Sequence, residues 1–207
     1  MSAVAFDEHG ARAWIDARFG PAKVDVLGRF AELLLDENRR QNLIAPSTAA
    51  NVWSRHLLDS AQLAQWGEGD GLWLDIGSGG GLPGIVLAIL LDRPFLLCEP
   101  RRLRAEFLSR ASEQLALAPR VSVAQRRVEK VQASASVISA RAVALLPALF
   151  TAARHCANLN TRWILPRGRT GRSEVEAMGA TEGEFHVKQS LTDPEALIVL
   201  ASGIGAR

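Results

Sequence analysis

Tyrosine is absent from the 207 residues, lysine occurs three times, and cysteine and methionine occur twice each. Two cysteines, Cys98 and Cys156, cannot by themselves build a disulfide framework or a metal site. With an aromatic content of only 6%, an open sheet on which single-stranded RNA bases stack is excluded as the main design. No apolar run approaches the roughly 18 residues that a membrane span needs. The longest, Ile85 to Leu91, has seven residues and suits a buried helix. The start, MSAVAFDEHGARAW, has acids where a signal peptide carries positive charge, and no apolar core follows it. These absences predict a cytoplasmic, metal-free protein with no membrane partner.

What is present is enough apolar sequence for a substantial core: 48% apolar against 22% charged residues, which excludes wholesale disorder. The length fits one domain, read as a helical extension over 1–70 and a core over 71–207. A net charge of +2 conceals a strong asymmetry. Residues 1–75 hold 11 acids against 7 bases, whereas residues 93–173 hold 15 bases against 4 acids. No acid lies between Lys130 and Ser173, and arginine outnumbers lysine 21 to 3. Arginine's planar fork matches phosphates and guanine edges, so the middle of the chain suits a polyanion such as nucleic acid.

The periodicity changes near residue 70. Before it, Ala11–Phe19 and Val24–Asn38 carry apolar residues at helical spacing, with Gly20-Pro21 as the break. Ser47 or Thr48 is expected to cap a third helix running through Leu57, Leu58 and Leu63. After it, short apolar strands are predicted at Leu72–Ile76, Phe95–Cys98, Val121–Ala124, Val137–Ser139 and Trp163–Leu165. Helices are predicted between them near Gly84–Leu91, Leu103–Leu115 and Leu145–Ala157. Such alternation argues for an α/β protein, a mostly parallel sheet with helices on both faces. Glu184–Gln189 and Ala196–Ala201 read as a strand pair closing one edge.

The most specific segment is Trp73-Leu74-Asp75-Ile76-Gly77-Ser78-Gly79-Gly80-Gly81-Leu82-Pro83-Gly84. A buried strand ends in an acid, passes through five glycines within eight residues, and enters an apolar helix. Glycines there let a ligand approach the backbone closely. A dinucleotide would place its pyrophosphate at the helix start, and Gly79-x-Gly81-x-x-Gly84 formally fits that fingerprint. S-adenosylmethionine has no phosphate. It favours an acid near the turn for its cation and another at the end of the next strand for its ribose, the places of Asp75 and Glu99. Pro83 removes an N–H that a pyrophosphate would use. S-adenosylmethionine is therefore the expected cofactor. A nicotinamide-dependent oxidoreductase and a non-catalytic RNA-binding or ribosome-assembly module are the competing classes.

LDIGSGGGLPGIVLAI, preceded by NLIAP and RHLLDS and followed by QRRVEK and VISARAVALL, resembles the RsmG (GidB) family. Members of that family are bacterial methyltransferases acting on guanine N7 of 16S ribosomal RNA. The likeness runs from about Asn42 to Gly168. It implies a Rossmann-like class I S-adenosylmethionine-dependent methyltransferase fold with an N-terminal helical extension. The implied partner is 16S ribosomal RNA or the small ribosomal subunit; a monomer is expected because nothing in the sequence requires an oligomer. The resemblance puts Gly77, Leu82, Val128, Glu129 and Arg141 on the cofactor beside Glu99. Leu82 and Val128 offer apolar walls, Glu129 accepts from polar cofactor groups, and Arg141 pairs with a carboxylate or holds substrate.

Arg55, His56 and Asp59 of RHLLDS are read as packing and pocket-lining residues, since guanine N7 bears no proton for a base to remove. No catalytic side chain or covalent nucleophile is expected, with Cys98 in a core strand and Cys156 in an apolar helix. RNA phosphates are expected on Arg101, Arg102, Arg104, Arg126, Arg127, Arg167 and Arg169. The chain departs from the family at Glu99, commonly Asp; at Leu103, commonly Lys; at Pro166-Arg167-Gly168, commonly Leu-Lys-Gly; and at Ile44, commonly Thr.

Overall fold

The computed structural model describes residues 6–141, 143–178 and 183–205. The strands are β1 (Trp73–Ile76), β2 (Phe95–Cys98), β3 (Val121–Ala124), β4 (Ala135–Ala140), β5 (Ala157–Arg167), β6 (Glu184–Gln189) and β7 (Leu197–Ser202). They form one sheet in the order β3-β2-β1-β4-β5-β7-β6. The first five strands run parallel, while β7 is antiparallel to both β5 and β6. The chain thus winds outward from β1 in both directions, which leaves a crevice beyond the carboxyl ends of β1 and β4.

Alternation within the strands feeds two cores. Trp73, Phe95, Leu97, Val137 and Ile164 face one side of the sheet; Leu74, Ile76, Ile138 and Leu165 face the other. The first side is covered by α1 (Glu8–Phe19), α2 (Pro21–Gln41), α5 (Gly84–Leu90) and α6 (Arg102–Gln114). Ile15, Leu27, Phe30 and Leu34 of the N-terminal helices share that core with the sheet. The second side is covered by α7 (Leu146–Ala153) and α8 (Gly171–Met178). Every residue of α5 is buried, as its unbroken apolar run requires.

Two expectations need correction. The third N-terminal helix is broken into α3 (Pro46–Ala49), a π-turn over Trp53–Leu57, α4 (Leu58–Ala61) and a 3₁₀ turn over Gln62–Trp66. Neither Ser47 nor Thr48 caps it; Ala45 precedes α3 without a side-chain cap. The break has a partner far away in sequence. Glu8 of α1 accepts hydrogen bonds from the Trp53 N–H at 3.0 Å, the Ser54 N–H at 2.8 Å and the Ser54 hydroxyl at 2.7 Å. Cys156 lies in a short 3₁₀ turn after α7 rather than within a helix, although it is buried. α8 was not anticipated, because only Gly171 and Met178 of its eight residues are buried.

Candidate active site

The site grows from the carboxyl ends of β1, β2 and β4. After β1, Gly77, Gly79 and Gly81 adopt φ of 70°, 52° and 82°, the left-handed region that favours glycine. The turn is pinned to β2, since the N–H groups of Gly77 and Ser78 donate to the Cys98 carbonyl at 2.8 and 3.2 Å. Glu99 follows β2 and is 3% exposed. Its Oε2 accepts from the Gly79 N–H at 3.0 Å and its Oε1 from the Arg101 N–H at 2.8 Å. Two backbone donors therefore aim the carboxylate, and each oxygen keeps a lone pair for a further donor.

A cleft of about 920 Å³ opens over this turn. Gly77, Leu82, Glu99, Val128, Glu129 and Arg141 all line it. Arg101, Arg104 and Arg127 stand at its edge, and Leu43 and Ile44 close it from the NLIAP segment. Ile44 was named only as a departure from the family, and Leu43, with Val143 and Leu149 after β4, was not predicted to line the cleft. The NLIAP motif was the available signal for Leu43 and Ile44; Val143 and Leu149 read as ordinary apolar residues.

Asp75 does not meet the cleft. It is fully buried, and its Oδ1 accepts from the Ser139 hydroxyl at 2.6 Å, which in turn accepts from the Trp73 indole N–H at 2.9 Å. Its Oδ2 has no hydrogen-bond partner among the described residues, and burial pushes its carboxyl up to about 6. The expectation that this acid faces a bound cation gives way to a structural role, tying β1 to β4. Cys98 does line the cleft, but burial pushes its thiol up to about 12, so it is no thiolate near neutrality.

A second cavity of about 430 Å³ adjoins the first and is lined by Thr48, Arg55, Asp59, Arg167, Thr192 and Asp193 among others. His56 and Arg141 line both cavities. Arg141 Nη1 lies 3.2 Å from Asp59 Oδ2, and Asp59 Oδ1 accepts from Gln62 Nε2 at 3.0 Å and from the Thr192 hydroxyl at 2.8 Å. Burial, reinforced by Arg141, pushes the His56 imidazole down to about 4.

The model of the family described as rRNA small subunit methyltransferase G matches residues 23–192. The chain belongs to that family. A ribosomal RNA small subunit methyltransferase G from Rhizorhabdus wittichii is 44% identical over 99% of this chain and 96% of its own. The fold is also that of the precorrin-6y C5,15-methyltransferase from Geobacter metallireducens, with a TM-score of 0.57 at 13% identity over 78% of this chain and 92% of that one. TYW2 from P. horikoshii, solved in complex with MeSAdo, gives 0.57 at 13% identity over 76% and 62%. Family membership makes the chain an S-adenosylmethionine-dependent methyltransferase of small-subunit ribosomal RNA. The glycine cradle and the pre-aimed Glu99 fit that cofactor.

The seven arginines expected on RNA separate into two groups. Arg101, Arg104, Arg126 and Arg127 lie on the β2–β3 side; they are exposed or half-buried, with no ion pair among the described residues. Arg102, on the same side, pairs with Glu106 at 2.6 Å. Arg169, on the β5 side, pairs with Glu195. Arg167 departs from the expectation. Its side chain is only 7% exposed, donates to the Ala144 carbonyl at 2.6 Å and faces Glu174 at 3.7 Å. The Ala144 carbonyl and Glu174 of α8 hold the guanidinium against the loop after β4.

Proposed function

We propose that the chain transfers the methyl group of S-adenosylmethionine to N7 of a guanine in 16S ribosomal RNA, as a cytoplasmic monomer whose N-terminal helices and sheet act as one unit. The observation that carries this reading is the convergence of Gly77, Leu82, Glu99, Val128, Glu129 and Arg141 on one cleft with arginines at its edge. When bound, the cofactor supplies an electrophilic methyl carbon on its sulfonium. Glu99 holds the ribose hydroxyls, Leu82 and Val128 sandwich apolar parts, and Arg141 steadies the end of the cleft nearest the substrate. Guanine N7 already offers a lone pair, so the chain needs no general base; its contribution is alignment and exclusion of water. Arg101, Arg104, Arg126 and Arg127 take RNA phosphates, which position the substrate without reading its sequence. Mass spectrometry of small-subunit RNA incubated with the protein and S-adenosylmethionine tests the reading. Added 7-methylguanine is the expected product; RNA without a new methyl group overturns it.

A further inference from the structure

The two cavities share one wall, made by His56 and Arg141. We propose that this wall reads the target base: guanine enters the smaller cavity, His56 Nδ1 accepts a hydrogen bond from its N1–H, and Arg141 donates to its O6. N7, next to O6, then faces the cofactor cleft. The proposal rests on the guanine-N7 reading above and assigns the residues that would enforce it.

The protonation of His56 follows from its partners. The Thr48 hydroxyl lies 2.9 Å from the Ala45 carbonyl and 2.8 Å from His56 Nε2. A hydroxyl has one proton, and a carbonyl can only accept. Both contacts are hydrogen bonds only if Thr48 donates to Ala45 and accepts from Nε2–H. Nδ1 is then a bare acceptor, and it is buried without a partner among the described residues. Buried polar atoms are normally satisfied; this orphan belongs to a side chain that lines both cavities, and a small turn of the ring brings it to an incoming N–H. Burial keeps this imidazole neutral at physiological pH, preserving the acceptor.

Arg141 supplies the opposite polarity. Asp59, braced by Gln62 and Thr192, holds its Nη1, and the guanidinium retains further donors for O6. Guanine presents acceptor, acceptor, donor at N7, O6 and N1, whereas adenine presents acceptor, donor, acceptor. Adenine would set donor against Arg141 and lone pair against His56. One donor and one acceptor in the wall thus discriminate the two purines at two positions.

The test combines histidine NMR with two variants. In the ¹⁵N-histidine-labelled protein, His56 is expected to carry its proton on Nε2, and its Nδ1 resonance to shift when guanosine 5′-monophosphate is added with S-adenosylhomocysteine, but not with the adenosine nucleotide. His56→Phe is expected to keep its affinity for S-adenosylhomocysteine within about twofold while losing about tenfold or more in kcat/KM for small-subunit RNA. His56→Asn, which restores an acceptor oxygen, is expected to recover most of that loss. Full kcat/KM in His56→Phe, a proton on Nδ1, or an Nδ1 resonance unmoved by millimolar guanosine nucleotide overturns the proposal. If the variants do not fold, the NMR result on the unaltered protein decides. Absence of 7-methylguanine with the unaltered protein would instead overturn the guanine-N7 reading itself.

Discussion

At the scale of single residues, Glu99 and Asp75 show how position separates two acids at neighbouring strand ends. Glu99 is aimed by the N–H groups of Gly79 and Arg101. Contacts from ribose hydroxyls to its carboxylate would be charge-assisted, about 1.5–3 kcal/mol each before solvent competition. Glu99→Ala is therefore expected to weaken S-adenosylhomocysteine binding more than tenfold by calorimetry. Glu99→Gln is expected to do nearly as much harm, because its amide would set a donor against one of the two backbone donors. Unchanged affinity in both would leave Glu99 as a loop brace only. Asp75 answers to pH. Its folded-state value of about 6 lies above the ordinary 3.8, so between those values the folded chain binds more protons than the unfolded one. Its contribution to stability is present at low pH and is lost as pH rises through that window, by at most about 1.4 kcal/mol per unit. The stability of Asp75→Asn relative to the parent should climb from pH 4 to 6 and level off above. Denaturant titrations across that range check this; a difference that does not vary with pH would place the proton elsewhere.

At the scale of elements, the glycine turn and α5 work as one rigid piece. A Cβ on Gly84 would lie 2.5 Å from Leu97 Cδ2 and 2.6 Å from Asp75 Oδ2. Since α5 is buried on every side, it has nowhere to withdraw. Gly84→Ala is expected to destabilise the protein by about 1–3 kcal/mol from overpacking, despite a helix propensity gain of about 1 kcal/mol. Chemical denaturation measures it, and an unchanged midpoint would show that the helix can slide. The π-turn at Trp53–Leu57 is a different kind of element. Glu8 binds its first N–H groups, and the irregular turn carries His56 between the two cavities. Such π-turns occur often at functional sites.

At the scale of the whole molecule, the basic middle of the chain is not one patch. Arg126 and Arg127 are exposed, and Arg127 stands at the edge of the cofactor cleft. Arg169 is already paired and Arg167 is turned inward. Replacing Arg126 and Arg127 together with alanine is expected to flatten the log–log salt dependence of RNA binding by about one to two units. Arg169→Ala should change it little, because its charge is balanced by Glu195. Filter binding at several salt concentrations separates the two; equal slopes in all proteins would mean that RNA lies on another face. No helix among the described residues is long and apolar enough to cross a membrane.

Phe95–Cys98 was legible because a central parallel strand is covered on both faces and leaves a plain apolar run, whereas Val121–Ala124, at the sheet edge, shows in its alternation of valine with small residues; both have the predicted limits. The glycine turn was legible because only glycine tolerates its backbone, and the strand order places Glu99 and Arg141 beside it. The broken third helix was not, since the carboxylate that binds its π-turn lies 45 residues away. Arg167 could not be told from Arg127 by charge; whether a guanidinium meets solvent or a carbonyl depends on which neighbours the fold brings to it. The bare nitrogen of His56 and the cavity beside it likewise exist only once Thr48, Asp59 and Thr192 are brought together. Local patterns encode what each segment can bury, while long-range packing sets which polar atoms are left without a partner.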